Sequence, residues 1–428
     1  MIHQMETEYT PEELKLMEAS YKVMGLIPND LNIRDTITKL LTEEVGGFYD
    51  PRTKKMVLVR EDDKPEPSFF GKLFGATPAF DKEAQKVTLS HELTHALQDQ
   101  LYGLLAMQKS IEKDDDMLLA FSALVEGDAT LVMFGEMGRQ EGDIRSMTEM
   151  EPEAAQFMFS LMKSFLPIAG GKTYRNSPRI FRDSLVFPYF QGMVFNLHLS
   201  RQGGFRGVHR AYDSPPTSSE QILHPEKYLK DRDEPMQFEF TDLDYAVPEG
   251  WKLLGGNCLG EFQTDILLKN VPNSIQASSG WDGDRYEVFE GPNDKLAMIW
   301  ATTWDSEQDA KEFEQAYRKY IALKPRTRKT NREPAKTDEN SESQSGSQNS
   351  EDNEKSGEIE TKDDDPKDSA AKDSAAPAVP TTIERMESDL FIVRGFDDKE
   401  TVDKMMSVLK AAKKSEKSFP VKPQPLKE

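Results

Sequence analysis

Residues 87–104 read VTLSHELTHALQDQLYGL. The chain has only six histidines, and two of them, His91 and His95, stand four positions apart with Glu92 between. On an α-helix, positions i and i+4 lie on one face, one turn apart. Both imidazoles would then aim at one point, with Glu92 projecting beside them. This is the HExxH arrangement: two neutral imidazoles hold Zn²⁺, and the glutamate is general base toward a water that the metal activates. By residue frequency the pattern arises by accident in roughly one chain of this length in a hundred. Thr88, Leu89, Leu93, Thr94, Ala96 and Leu97 are all uncharged, which suits a helix buried in its domain. Leu89, Leu93, Ala96 and Leu97 give it an apolar stripe away from the histidines. The competing reading is two surface histidines on an ordinary amphipathic helix.

A catalytic zinc needs a third protein ligand and an open position for water. The HExxHxxGxxH solution is excluded, because Gln98 replaces the glycine and Leu101 the last histidine. The expected ligand is Glu126 in ALVEGDATLV, a carboxylate on an otherwise apolar helix where burial demands a partner. Ala123, Gly127 and Ala129 are small enough to let two helices approach closely. Asp128 is the alternative ligand, or else accepts the N–H of a liganding histidine. Against these stands a helix-terminal carboxylate facing water. For the hydrogen-bond donor that supports the transition state, the candidates are His224 in QILHPEKY and Tyr228, both equally compatible with simple loop packing. His3 is terminal, and His198 and His209 sit in helical, structural contexts. If neither Glu126 nor Asp128 binds metal, His224 and Glu220 are next in line.

Stepping out from these residues, the pattern predicts helices over 11–45, then a β-hairpin in GFYDPRTKKMVLVR with its turn at Asp50–Thr53. The strand Lys55–Arg60 is a candidate edge for binding an extended peptide. A Gly/Pro-containing loop (61–80) leads to the motif helix from about Asp81 to Leu105. A second long helix starts at Asp114–Asp116, an acidic run read as solvated capping. Further helices are expected near 152–166 and 184–202. After about residue 231, strand-like runs (MQFEFTDL, RYEVFEG, LAMIWATTW) alternate with helices, one opened by a capping pair, Ser306 and Asp309. Residues 326–380 contain no aromatic, leucine or methionine, so they cannot bury enough surface to fold. Beyond them a strand and a helix return.

The expected fold class is therefore α+β. A mainly helical, zincin-like catalytic domain with a small hairpin (1–230) precedes a small α+β domain (231–325), interrupted by a disordered insertion (326–380) and completed by a strand and helix (381–412). A flexible tail (413–428) follows.

Composition bounds the function. With 428 residues, 37% hydrophobic and 30% charged, the chain suits two domains plus linkers. A formal net charge of −22 argues against nucleic acid or an anionic membrane as a direct partner. The single cysteine, Cys258, excludes an internal disulfide and a Cys-rich zinc finger. No run of about 20 apolar residues offers a membrane span. The polar, acidic start is not a signal peptide, so a soluble protein is expected, with export possible if the true start lies upstream. Oligomeric state is left open.

HELTHALQDQ, followed by ALVEGDAT and preceded by GFYDPRTKKMVLV, resembles a group of bacterial zinc metallopeptidases of the gluzincin type. PPTSSEQILHPEKYL and GWDGDRY…TTWDSEQDAKEF are also similar to members of that group, so the resemblance spans roughly residues 20–320. It implies peptidase activity on a peptide or protein substrate, with one Zn²⁺ per chain on His91, His95 and Glu126 and Glu92 as base. A zinc-bearing but non-catalytic binding module is the alternative, and a structural protein with an accidental HExxH is a third.

Because residues 326–380 lack the apolar side chains that could hold them to a core, replacing them with a short flexible linker is expected to leave the melting temperature nearly unchanged. A large fall on thermal unfolding would contradict the reading.

Overall fold

The computed structural model describes residues 10–44, 47–58, 82–140, 142, 147–169, 172–230, 232–323 and 379–420. The expectations for the 61–80 loop, the insertion as far as residue 378 and the far end of the edge strand lie outside these residues.

The chain opens with α1 (Pro11–Met24), started by a Thr10–Glu13 capping box and ended by Gly25 at φ +85°. The hairpin follows as β1 (Gly47–Asp50) and β2 (Lys55–Leu58), in antiparallel register with Tyr49 opposite Met56. The motif helix is α2 (Lys82–Tyr102). It stops earlier than expected, because Gly103 adopts a left-handed φ of +70° and the next residues start a separate short helix. Next come α3 (Asp115–Gln140), which carries Glu126, then α4 (Pro152–Ala169) and α5 (Arg179–Ser200). Helix α3 lies between α2 and α5 and packs against both.

The α3–α5 crossing is close for a stated reason. A Cβ on Gly127 would come within 2.2 Å of the Gly192 backbone, and one on Gly192 within 2.1 Å of the Ala123 carbonyl oxygen. Asn196 seals the contact by donating from Nδ2 to the carbonyls of Leu124 (3.1 Å) and Gly192 (2.8 Å). By length and composition α3 is apolar enough to cross a membrane. Its apolar surface is instead largely buried in the core, and the helix carries Asp116, Glu126 and Asp128.

Helix α2 departs from the expected pattern. Its buried face holds His91, Glu92, Gln98 and Asp99, while Leu93 and Leu97 are 54% and 49% exposed and Leu89 is also exposed. The polar side is packed inward and the leucine stripe faces out, the reverse of an ordinary amphipathic helix.

The α+β part is a five-stranded antiparallel sheet in the order β4-β5-β6-β8-β7. Its strands are β4 (Lys252–Asn257), β5 (Trp281–Glu290), β6 (Leu296–Trp304), β7 (Thr381–Met386) and β8 (Asp389–Arg394). Strand β8, from beyond the 324–378 segment, pairs directly with β6, Trp300 opposite Ile392. Alternation along the strands sends Trp300 and Trp304 to one face, against Phe313 and Tyr317 of α7 (Glu307–Ala322). Ile299, Ala301 and Val393 go to the other, clustered with Met405 and Leu409 of α8 (Lys399–Lys410). Between β4 and β5 lies α6 (Gly260–Leu268).

Three expectations are corrected here. The described residues up to Tyr320 and from Val379 onward cluster as one compact unit and not as two units meeting near 230. The acidic run is not solvated: Asp114 caps α3 through the Met117 N–H (2.9 Å), but Asp116 is buried and accepts the Ser219 N–H at 3.2 Å. Nor is 413–420 a free tail. Residues Lys413–Glu416 form β9 against β3 (Met236–Glu239), Lys417 is buried with its Nζ 2.6 Å from Asp114, and Phe419 packs on Phe121 at 5.5 Å.

Since backbone meets backbone at the α3–α5 crossing, Gly192→Ala or Gly127→Ala should force the helices apart and cost about 1–3 kcal/mol. Equilibrium chemical denaturation reads this directly, and wild-type stability in both variants would contradict the packing argument.

Candidate metal centre

Helix α2 presents His91 and His95 one turn apart, with ring centroids 4.6 Å apart and planes at 89°. Their Nε2 atoms approach to 3.0 Å. Helix α3, held by its crossing with α5, brings Glu126 Oε2 to 3.2 Å from His91 Nε2 and 3.3 Å from His95 Nε2. The three potential ligand atoms thus form a nearly equilateral triangle. Tetrahedral zinc with bonds of about 2.0–2.1 Å separates neighbouring ligand atoms by about 3.3 Å. The triangle therefore has the size of one face of such a site, and the donor set fits the ion. The Glu126 side chain is 24% exposed, so the centre is open on one side rather than sealed.

Electrostatics ties the three groups together. Burial opposes ionisation of Glu126, but the adjacent His95 and His91 outweigh it and hold the carboxyl well below the ordinary range. Burial likewise works against charge on His95, and Glu126, reinforced by Glu92 and Gln98, overcomes it and raises the imidazole to about 9. The carboxylate of Glu126 thus favours a proton on His95.

Glu92 is buried beside the triangle without belonging to it. Its Oε2 accepts the Tyr49 N–H at 2.8 Å, and burial raises its carboxyl against the pull of the two histidines. The Tyr49 hydroxyl donates to Asp99 at 3.0 Å, so β1 is pinned to α2 at both ends of one residue. Strand β1, not the expected edge β2, therefore turns its backbone toward the site. The turn between them is held by Asp50, whose Oδ1 accepts the Arg52 N–H at 3.0 Å and whose Oδ2 accepts the Thr53 hydroxyl at 2.9 Å.

Two residues that sequence reasoning passed over complete the surroundings. Gln98 Oε1 lies 2.9 Å from His95 Nδ1, while its Nε2 donates to Val125 O (3.1 Å) and Asp128 Oδ2 (2.9 Å). Tyr189 on α5 hydrogen-bonds Glu126 and stacks over His91, with centroids 6.0 Å apart and planes at 21°. Burial, then Glu126 and Glu92, push its phenol well above the ordinary value, so it stays a donor. Gln98 carried a legible signal, one turn beyond His95 on the same helix. Tyr189 carried none, since nothing local relates it to the motif.

The remaining candidates fall as follows. Asp128 does not touch a liganding histidine: it accepts from Gln98 and from the Tyr212 hydroxyl at 3.2 Å. His224, one of the expected donors, is engaged by Glu261, with Nε2 3.0 Å from Oε1. Tyr228, the other, donates its hydroxyl to the Ser214 carbonyl at 2.8 Å and lies under the Arg232 guanidinium at 4.7 Å. Glu220 is paired with Lys227 at 2.6 Å. His224 ties the 214–234 segment to α6, where Glu261 resides, while Tyr228 and Glu220 make contacts within the segment itself. Among the described residues, His91, His95 and Glu126 are the one group of three such side chains arranged to hold a metal ion.

Comparison with known proteins gives one match. A family described as "Domain of unknown function (DUF8575)" matches residues 252–355, which include β4 to α7 and none of the metal-centre residues. No curated protein and no solved structure matches the chain.

A pH dependence follows from the His95–Glu126 pair. Its imidazole is raised from 6.5 to about 9, so in metal-free protein the pair stabilises the fold fully below about 6.5 and loses that contribution as pH rises through about 9. The melting-temperature gap between wild type and Glu126→Gln, both metal-free, should shrink over that window. A gap that widens with pH would refute the coupling.

Proposed function

We propose that the protein is a zinc-dependent peptidase. The observation that carries this reading is the triangle of His91, His95 and Glu126 atoms with a buried carboxylate, Glu92, next to it and free of it. A site built only to retain metal has no use for a second, unligated carboxylate at that position. The His₂Glu donor set suits a catalytic zinc, which keeps a coordination position open. When bound, zinc acidifies a water and polarises a carbonyl.

The chain's own groups supply the rest. Glu92 accepts the proton of the attacking water and returns it to the leaving amine. The Tyr49 N–H holds that carboxylate in place, and burial raises its affinity for the proton it must carry. Tyr189, next to Glu126 and protonated, is the group we assign to hydrogen-bond the developing oxyanion, in place of His224 and Tyr228. The hairpin backbone at β1 lies beside Glu92 and suits an extended peptide docking as a strand. The family resemblance in HELTHALQDQ and ALVEGDAT agrees with this chemistry.

The test combines metal analysis with turnover of a general protein substrate. About one zinc per chain is expected, lost in His91→Ala, in His95→Ala and largely in Glu126→Ala. Glu92→Gln should keep the metal and lose about 10²–10⁴-fold in kcat. Tyr189→Phe should lose about 10²–10³-fold in kcat with KM and metal content little changed. Wild-type hydrolysis by Glu92→Gln would sink the peptidase mechanism. Unchanged zinc in both histidine variants would sink the site.

A further inference from the structure

The two liganding histidines are not supported alike. His91 Nδ1 is buried and finds no hydrogen-bond partner among the described residues. His95 Nδ1 meets Gln98 Oε1 at 2.9 Å. Gln98 is 2% exposed and Asp128 1%, so neither can trade these partners for water.

A glutamine amide seen without hydrogens is ambiguous about which end is oxygen. Here the surroundings decide. The far end of Gln98 faces the Val125 carbonyl at 3.1 Å, which can only accept, and the Asp128 carboxyl at 2.9 Å. The nitrogen must therefore point there, with one N–H for each. The oxygen is then fixed on His95, and an oxygen can only accept, so His95 Nδ1 must carry a proton. In the neutral ring the lone pair is then on Nε2, the atom that converges with His91 and Glu126.

We propose that Gln98 is a positioning residue that fixes the tautomer and ring orientation of His95, and that Asp128 acts on the metal centre only through Gln98. This rests on the metal-centre reading above. The arrangement also registers the two ligand helices. Gln98 sits one turn beyond His95 on α2, and its N–H groups grip α3 at Val125 and Asp128, the residues flanking Glu126–Gly127. The spacing between the imidazole pair and the third ligand is thereby set by one side chain. Tyr212, donating to Asp128 at 3.2 Å, closes the chain of polar contacts into the core.

Zinc affinity, measured by competition with a chromophoric chelator, tests the order of the relay in four proteins. Gln98→Met keeps the length and removes the polarity, and should weaken zinc about 10- to 100-fold. Asp128→Leu removes one of the two acceptors that hold the Gln98 amide, so it should weaken zinc as well. The double variant should be no worse than Gln98→Met, within about twofold, because Asp128 has nothing left to act through. Wild-type affinity in Gln98→Met overturns the proposal. So does a double variant whose loss is the product of the two single losses, the result for two independent structural contributions.

A measurement on the unaltered chain requires no variant to fold. With ¹⁵N-labelled histidine, NMR of the zinc-loaded protein should show His95 bound through Nε2, with a Nδ1–H slow to exchange with water. Coordination through Nδ1, or a rapidly exchanging Nδ1–H, refutes the assignment. In the metal-free chain the same proton should remain slow to exchange. A protein that takes up no zinc yet keeps this slow proton would overturn the metal reading, and with it the action of Asp128 on the centre, while upholding only the assignment of the proton to Nδ1.

Discussion

The candidate metal centre depends on how closely α3 packs between two helices. Gln98 ties α3 to the histidine-bearing α2, and Gly127, the residue after Glu126, has no side chain to hold α3 away from Gly192 on α5. That same contact places Tyr189, one turn before Gly192, beside Glu126 and over His91. Asn196, one turn after, stitches the crossing by donating to the main-chain carbonyls of Ala123 and Leu124 on α3. Three consecutive turns of α5 thus present the phenol, the close contact and the polar seal.

Burying polar groups is costly unless each has a partner, and α2 buries its polar face. The cost is met group by group, except at His91 Nδ1, which finds no partner among the described residues. His95 has Gln98, Gln98 has Val125 and Asp128, Glu92 has the Tyr49 backbone, and Asp99 has the Tyr49 hydroxyl. The outward leucines show what this arrangement gives up, since Leu93 and Leu97 contribute little burial. Local pattern and tertiary environment disagree along this helix, the kind of conflict that concentrates at functional sites.

The five-stranded sheet buttresses this assembly from the far end of α3. Asn257, closing β4, accepts the Asp115 N–H at 2.9 Å. Buried Asp284 on β5 gathers the indole N–H groups of Trp281 (3.0 Å) and Trp300 (2.9 Å) and the N–H of Gly260 (2.9 Å) that starts α6. After β9 the chain returns to α3, where Lys417 pairs with Asp114 and lies 3.2 Å from Cys258 Sγ. The start of the glutamate-bearing helix is therefore clamped by residues scattered over nearly the whole sequence.

Much of the centre was legible because its signals are local. His91, Glu92 and His95 are brought together by the geometry of one helical turn, and Glu126 and Asp128 stand out as the two acids in the apolar ALVEGDATLV stretch. Strand-like runs likewise announced β5 and β6, and turn residues the Asp50–Thr53 turn, but the single strand read over ERMESDLFIVRGF is the antiparallel pair β7 and β8. What the sequence could not settle depended on partners distant along the chain. Burial patterns gave the wrong face to α2, because apolar periodicity says which residues could pack and not what packs against them. The acidic run at Asp114–Asp116 looked solvated until Ser219 and Lys417 were brought to it. His224 and Tyr228 carried suitable donor groups, but Glu261 and Ser214 engage both, while Tyr189 arrives from α5 with no local mark. By itself, then, the sequence singled out His91, Glu92 and His95 by one helical turn and narrowed the third partner to Glu126 or Asp128. Only the tertiary structure decided which groups surround that set, because hydrogen-bond partners and close helix contacts are made between segments whose separation in sequence carries no information about their distance in space.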